Sequence, residues 1–212
     1  MQVSRYLSSG ILLCWLGFTA GCAHLPEDET RPAEKPTPPT INLLKAVNAD
    51  PSKSLLASTL SAGAQYVIPD EVAKRKASTE NQDELLEGES KRVFQLIREV
   101  KAINYQIKLD LSGARKQLNK VKKLARKHKN KDAMLTQSKA GVTNKYNETY
   151  QLMGAVDKEL KTSEALLEEL RAEITATNKG KFKGWELRLD ALRKERMQLE
   201  QYATQLYALQ AK

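Results

Sequence analysis

The chain has 212 residues, with 35 lysines and arginines against 26 acidic residues, a formal charge of +9 and only 6% aromatic residues. Abundant Ala, Leu, Lys, Glu and Gln is the composition of long helices or coiled coils, and the length allows one or two ordinary domains. Two cysteines and two histidines leave no room for a disulfide framework or a thiol- or imidazole-rich metal centre, and the basic balance points to anionic partners without bearing on fold.

The first element is a leader. Arg5 is the only charge before an apolar run from Ile11 to Gly21. A basic start, a short apolar stretch and small residues at its end are the marks of a secretion signal. The run is shorter than the roughly 20 apolar residues that span a bilayer, and the proline-rich polar sequence behind it argues against a buried core helix.

Phe18-Thr19-Ala20-Gly21-Cys22 sets two small residues before a cysteine. The segment resembles the lipobox of bacterial lipoproteins, with Thr19 where leucine is commonest. The resemblance covers residues 1–22 and names no family for the rest. It implies that residues 1–21 are removed and that the Cys22 thiol carries a diacylglycerol. Ala23 in place of aspartate at the second mature position implies transfer to the outer membrane, with the chain facing the periplasm. The rival reading is ordinary cleavage after Ala23. Acylation makes the anchor firm, because each buried methylene contributes about 0.8 kcal/mol and two or more chains hold stably. Cys14 leaves with the signal, so a chain acylated at Cys22 has no free thiol.

Residues 22–41 hold the anchor and a linker. Five of the seven prolines lie here, at positions 26, 32, 36, 38 and 39, which predicts a disordered but extended spacer of about 3.1 Å per residue. Residues 42–79 read as loosely structured and partly helical. Leu43–Val47 makes one short helix, Ser54–Val67 another that breaks at Pro69, and Asp70 caps a further turn.

Residues 80–212 carry a heptad pattern. Leu86, Val93, Val100, Ile107, Ala114 and Val121 form one series, and Ile97, Asn104, Leu111, Leu118 and Ala125 the other, as the d and a positions of a coiled coil demand. The seam weakens at His128, Asp132 and Lys139, resumes from Val142 to Ile174, and stops at Asn178-Lys179-Gly180. A third seam runs through Trp185, Leu189, Leu192, Leu199, Ala203 and Leu206, with Arg196 out of character.

The unbroken phase fits a single helix over 82–178 paired with another chain. A reversal at Lys129–Asp132 fits better, with arms Gln82–Lys129 and Asp132–Lys179 of nearly equal length. A third helix over Phe182–Leu209 then packs on the open end only, where the apolar face is wider: 13 of the 27 residues in Leu85–Leu111 are apolar or aromatic, against 8 of 27 in Ser112–Ser138. Phe94, Leu96 and Ile103 widen that face. The expected fold is all-α: an antiparallel coiled-coil hairpin with a shorter third helix on its open end, preceded by a disordered linker.

No catalytic pattern occurs: there is no H-E-x-x-H, phosphate-binding loop or G-x-S-x-G. Glu168 and Glu169 point about 100° apart on a helix and read as solvated charge. A protein without enzymatic activity, cofactor or metal is expected, and a hydrolase with an unfamiliar site is the outlying reading. Asn104 is the polar residue of the first seam and a candidate for setting register.

Arg115, Lys116, Lys120, Lys122, Lys123, Arg126, Lys127, Lys129 and Lys131 form a basic run without an acid. In a hairpin it lies at the tip and reads as a contact for an anionic partner. An internal alternative pairs it with the acidic stretch Asp157–Glu173, which a turn nearer Gly141–Asn144 would align. Nucleic acid is not expected, since the run lacks stacking aromatics.

Three functions follow as expectations. The first is a lipid-anchored periplasmic scaffold or accessory protein that binds an envelope protein through its helical arm. The second is a cell-wall-binding lipoprotein, with Lys212 joined to peptidoglycan as in Braun-type lipoproteins, which this chain resembles only in plan. The third is the hydrolase.

Overall fold

The computed structural model describes residues 53–211 except residue 80 and residues 126–130, together with the backbone but not the side chains of residues 125 and 131. The leader, Cys22, the proline-rich linker, the Leu43–Val47 segment and Lys212 lie outside the described residues. Five α-helices and no strand are described: α1 Leu55–Ala62, α2 Ile68–Ala77, α3 Gln82–Ala125, α4 Lys131–Arg171 and α5 Lys179–Gln210.

Two short helices precede the long ones. Ser54 caps α1, its hydroxyl accepting from the Ala57 amide, which satisfies one of the orphan donors at the helix start. Gly63 closes α1 with a positive φ of 51°, a conformation that glycine adopts without steric cost. Pro69 does not break a helix. It sits in the first turn of α2, where no intrahelical donor is lost.

The three long helices carry the heptad seams inward. Asn81 accepts the Asp83 amide at 2.9 Å as α3 begins, and Asp83 and Glu84 at its start with Lys122 and Lys123 at its end complement the helix dipole. Of the first seam, Leu86, Val93, Val100, Ile107, Ile97, Leu111 and Leu118 are buried. Leu96 and Ile103, outside the seam, are fully buried as well. Phe94 differs: it is 49% exposed and lies under the Arg188 guanidinium at 5.3 Å.

α3 and α4 are antiparallel, so the chain does not form the single long helix. Gln82 reaches Glu173, Glu89 meets the Ser163 hydroxyl, and Asp110 pairs with Lys145 at 3.2 Å. α5 returns beside both, parallel to α3 and antiparallel to α4. Lys181 meets Asp83, Arg188 donates to the Ser90 carbonyl, and Arg115 donates to Gln205. On the other side Arg193 meets Glu164, and the Tyr207 ring packs tilted against that of Tyr146, with 5.7 Å between centroids.

These pairs place the end of α5 beside Arg115 and Tyr146. The three-helix part ends there, and α3 and α4 continue as a pair held by buried Leu118 and Val142. α4 stops at Arg171 and not at Lys179, because Asn178 competes for the backbone. Its side-chain oxygen accepts the Thr175 amide at 2.9 Å and its nitrogen donates to Gln82, a local pattern that draws chain out of a helix.

Candidate functional site

The candidate surface is the two-helix end of the hairpin. Lys116, Lys120 and Lys123 are exposed on α3, and among the described residues none of them has an acidic partner. Arg115 is engaged differently: it donates to Gln205 at 2.8 Å and ties α5, near its C-terminal end, to α3. Lys122 is half-buried. Arg126 and Lys127 lie outside the described residues, as does the Lys131 side chain.

The acidic stretch of α4 lies toward the open end, and it is already engaged there. Asp157 takes the Arg196 guanidinium in a two-pronged contact at 2.7 and 3.0 Å, which accounts for an arginine on the third seam. Glu164 pairs with Arg193, Glu168 with Arg171, and Glu169 with Lys76. The reversal between Ala125 and Lys131 sets this stretch away from the basic run, so the alternative in which the two neutralise each other fails on geometry.

Asn104 is 3% exposed. Its amide nitrogen donates to the Glu195 carbonyl at 3.1 Å and to the Glu195 carboxylate at 3.0 Å, so it addresses α5 and not the opposite arm of the hairpin. Its oxygen has no partner among the described residues. One satisfied and one orphaned atom roughly offset each other, since a net hydrogen bond contributes about 1 kcal/mol and an unmet buried acceptor costs about the same or more. Asn104→Leu is therefore expected to leave stability within about 1 kcal/mol of the parent in thermal unfolding. A loss above about 2 kcal/mol would show that the amide is a net stabiliser.

A second cluster, buried near the open end, was not legible in advance. Arg75 of α2 reaches Glu89 of α3 at 3.1 Å and Glu159 of α4 at 2.8 Å. Arg92 reaches the same Glu159 from α3 at 3.1 Å. Thr59 of α1 donates to Glu159 at 2.5 Å, and the Tyr66 hydroxyl lies 2.8 Å from that of Thr162. Glu159 is wholly buried. Two arginines face the two buried carboxylates, and the less buried Glu71 adds a third at 3.4 Å from Arg75.

Burial pushes the Glu89 carboxyl above its ordinary range, with Arg75 and Arg92 offsetting part of this. Burial acts on Glu159 in the same sense, but Arg92, Arg75 and the Thr59 hydrogen bond outweigh it and hold Glu159 below the ordinary range. A neighbouring carboxylate, Glu99, accepts from the Ser54 hydroxyl and from the Leu55 and Leu56 amides. It meets the positive end of α1. These contacts dock a segment expected to be loose. The signal that could have found them is the charge of Arg75 in a chain segment too short to bury apolar residues alone.

Among the described residues no cluster of three His, Cys, Asp or Glu side chains could hold a metal ion. No described helix is long and apolar enough to cross a membrane. Fold and surface together define the chain as an all-α helical hairpin, braced over part of its length by a third helix. No protein-family profile, curated protein or solved structure matches it.

Proposed function

We propose that this chain is a non-catalytic scaffold of the bacterial envelope. Cys22 carries the lipid that holds it in the outer membrane, and the helical part faces the periplasm. The tip of the hairpin binds an anionic face of a partner protein in an envelope assembly. The observation that carries this reading is the contrast between the two charged stretches. Lys116, Lys120 and Lys123 stand exposed without acidic partners among the described residues, whereas the acids at 157, 159, 164, 168 and 169 are each held by an arginine or lysine near the open end.

Exposed charges cost little to leave in water and gain most when a complementary surface meets them, where they steer the encounter and suppress wrong partners. Such binding weakens as salt screens it over about 8 Å at physiological ionic strength. Affinity capture from detergent-solubilised envelopes tests the reading. Lys116→Glu, Lys120→Glu and Lys123→Glu introduced together are expected to remove the captured partner, whereas reversal of Lys183 near the open end leaves it in place. The same partners held by the triple variant would sink the claim for the tip.

A further inference from the structure

α1 and α2 lie on one face of the α3–α4 hairpin, and that face continues uncovered toward the turn. Gln95 and Glu159 belong to the covered part: Gln95 holds the Lys53 carbonyl, and Glu159 holds Thr59 and Arg75. Gly113 follows Gln95, and Gly141 precedes Glu159, by eighteen residues each, or about five whole turns. Both glycines therefore fall on the covered side of their helices, beyond the cover. The Asp110–Lys145 pair, one turn away, sets them level with each other. Between them lies a groove of about 410 Å³ whose floor includes Ala114, Val142 and Leu206. A side-chain carbon built on either glycine would meet nothing within 4 Å, so another backbone can come close there.

The two walls of the groove differ in charge. On α3, Lys116 and Lys120 stand three and seven residues beyond Gly113, spacings that stay on one side of a helix. Both are exposed, and neither has an acidic partner among the described residues. Leu109 on the same wall is 48% exposed. The α4 wall offers Gln137 and Ser138, and Lys145 at its end is already held by Asp110 and Glu148.

Shape and charge together select an occupant. A groove between two antiparallel helices accepts a third, as α5 shows on another face of the same hairpin. Leu109 to Lys120 spans about 16 Å, roughly three helical turns, which suits apolar side chains at i, i+4 and i+7. Free lysines along one wall call for acids along one edge of the occupant. A second copy of this chain would bring its own lysines against these, a like-charge meeting that opposes binding. A flat lipid surface cannot follow a concave floor. Nor does the start of the described chain turn toward the groove: Gln95, which takes the Lys53 carbonyl, lies a turn nearer the open end than Glu99, which takes the Leu55 amide.

We propose that this groove docks an amphipathic helix of the partner protein, with its apolar stripe on Ala114 and Val142 and its acidic edge against Lys116 and Lys120. This role rests on the proposed binding of an anionic partner at the tip, and it fixes the shape and chemistry of that partner's contact. The apolar bed supplies affinity, and the one-sided charge sets which edge of the incoming helix faces α3.

Photo-crosslinking in the full-length chain, in its own cell, tests it. Gln117 lines the groove and is exposed. Benzoylphenylalanine in its place is expected to attach to a segment of another protein with apolar residues at helical spacing and acids along one edge, as read by peptide mass. A synthetic peptide of that segment is expected to bind the detergent-solubilised full-length chain. Binding should fall about tenfold or more when its acids are changed to amides, since the charges face unpaired lysines. Gly141→Trp and Gly113→Trp, made separately, fill the groove from either wall and are expected to weaken the peptide as much while helix content stays the same. Attachment to a second copy, to this chain's own residues, to lipid or to a segment without that pattern would overturn the proposal, as would no attachment. A partner lost on reversal of the three lysines but kept by both tryptophan variants removes the groove and leaves the proposed function standing. A partner kept on that reversal removes both.

Discussion

Arg75→Ala is expected to release α1 and α2 from the hairpin at a cost of about 3–5 kcal/mol, the range for breaking a buried ion pair by removing one partner. The guanidinium is 7% exposed and spans two buried carboxylates, Glu89 at 7% and Glu159 at 0%, with the less buried Glu71 of its own helix at 3.4 Å. Without it Glu89 loses its cation, and Glu159 keeps only Arg92. Two buried carboxylates then share one partly exposed arginine. Arg75→Lys is expected to recover only part of the loss, because a single ammonium cannot reach both carboxylates with the paired donors of a guanidinium.

Hydrogen exchange reads the outcome locally. Protection over residues 55–77 falls while that of α3 and α5 near Trp185 persists. Unchanged protection over 55–77 would mean that apolar contacts such as those of buried Leu56 and Val72 dock the segment without the ions.

Acid should act on the same contact in two opposed ways. Glu159 is held below its ordinary range, so its contribution is complete above the unfolded-state value near 4.3. That contribution is lost as pH falls through the lower folded value. Glu89 is held above its ordinary range, so the folded state binds its proton more tightly than the unfolded state does. Its share of the stability therefore rises as pH falls toward the ordinary range. Docking of α1 and α2 is expected to be flat or slightly firmer from pH 7 down to about 5, and to fail only below about 4. Exchange protection of residues 55–77 against pH checks this, and a steady weakening from pH 7 to 5 would contradict it.

Trp185→Ala is expected to destabilise the three-helix part by about 3–5 kcal/mol, the cost of removing a large buried aromatic side chain. Trp185 is fully buried at the start of α5, where that helix first meets the hairpin. Its indole nitrogen has no partner among the described residues. Trp185→Phe therefore loses no hydrogen bond and should cost much less than the alanine change. Denaturant unfolding of both variants separates volume from polarity. Equal costs would mean that the indole nitrogen has an acceptor. Leu124→Ala is the reference: that side chain is 38% exposed on the two-helix end, and its removal should fall within about 0.5 kcal/mol.

Much of this architecture is legible from spacing. A heptad series needs only the residues of its own helix to declare itself, and most of the apolar residues the series picks out are buried, although Leu85, Leu152 and Leu166 are buried outside it. The unequal apolar width of the two ends also shows in advance, since a face that meets two neighbours must carry more apolar residues than a face that meets one. Leu96 and Ile103 carry that signal correctly, and Phe94 does not. Nothing in the spacing reveals that an arginine ninety-four residues later, Arg188, covers its ring.

The buried cluster was beyond reach for a related reason. Glu159 sits within the acidic stretch Asp157–Glu173, which reads only as an alternative partner for the basic run, and Glu89 and Glu99 fall at polar positions of the first arm. A charge is stable inside a protein only when its partners arrive with it, and here they arrive from α1, α2, α3 and α4 together. Spacing within one segment cannot show that meeting. Ser54–Ala77 is too short for its own periodicity to bury it, so it reads as loose until Glu99, Glu89 and Glu159 are placed around it.

By itself, then, the amino-acid sequence determined the helical class, the two long arms, the third helix and the basic run, because each depends on periodicity or charge along a single stretch of chain. Only the tertiary structure decided which charges are spent and which are free, that Asn104 addresses α5, and that α1 and α2 are docked by ions. Those outcomes depend on desolvation and pairing between residues far apart in the chain, and these exist only once the helices are side by side.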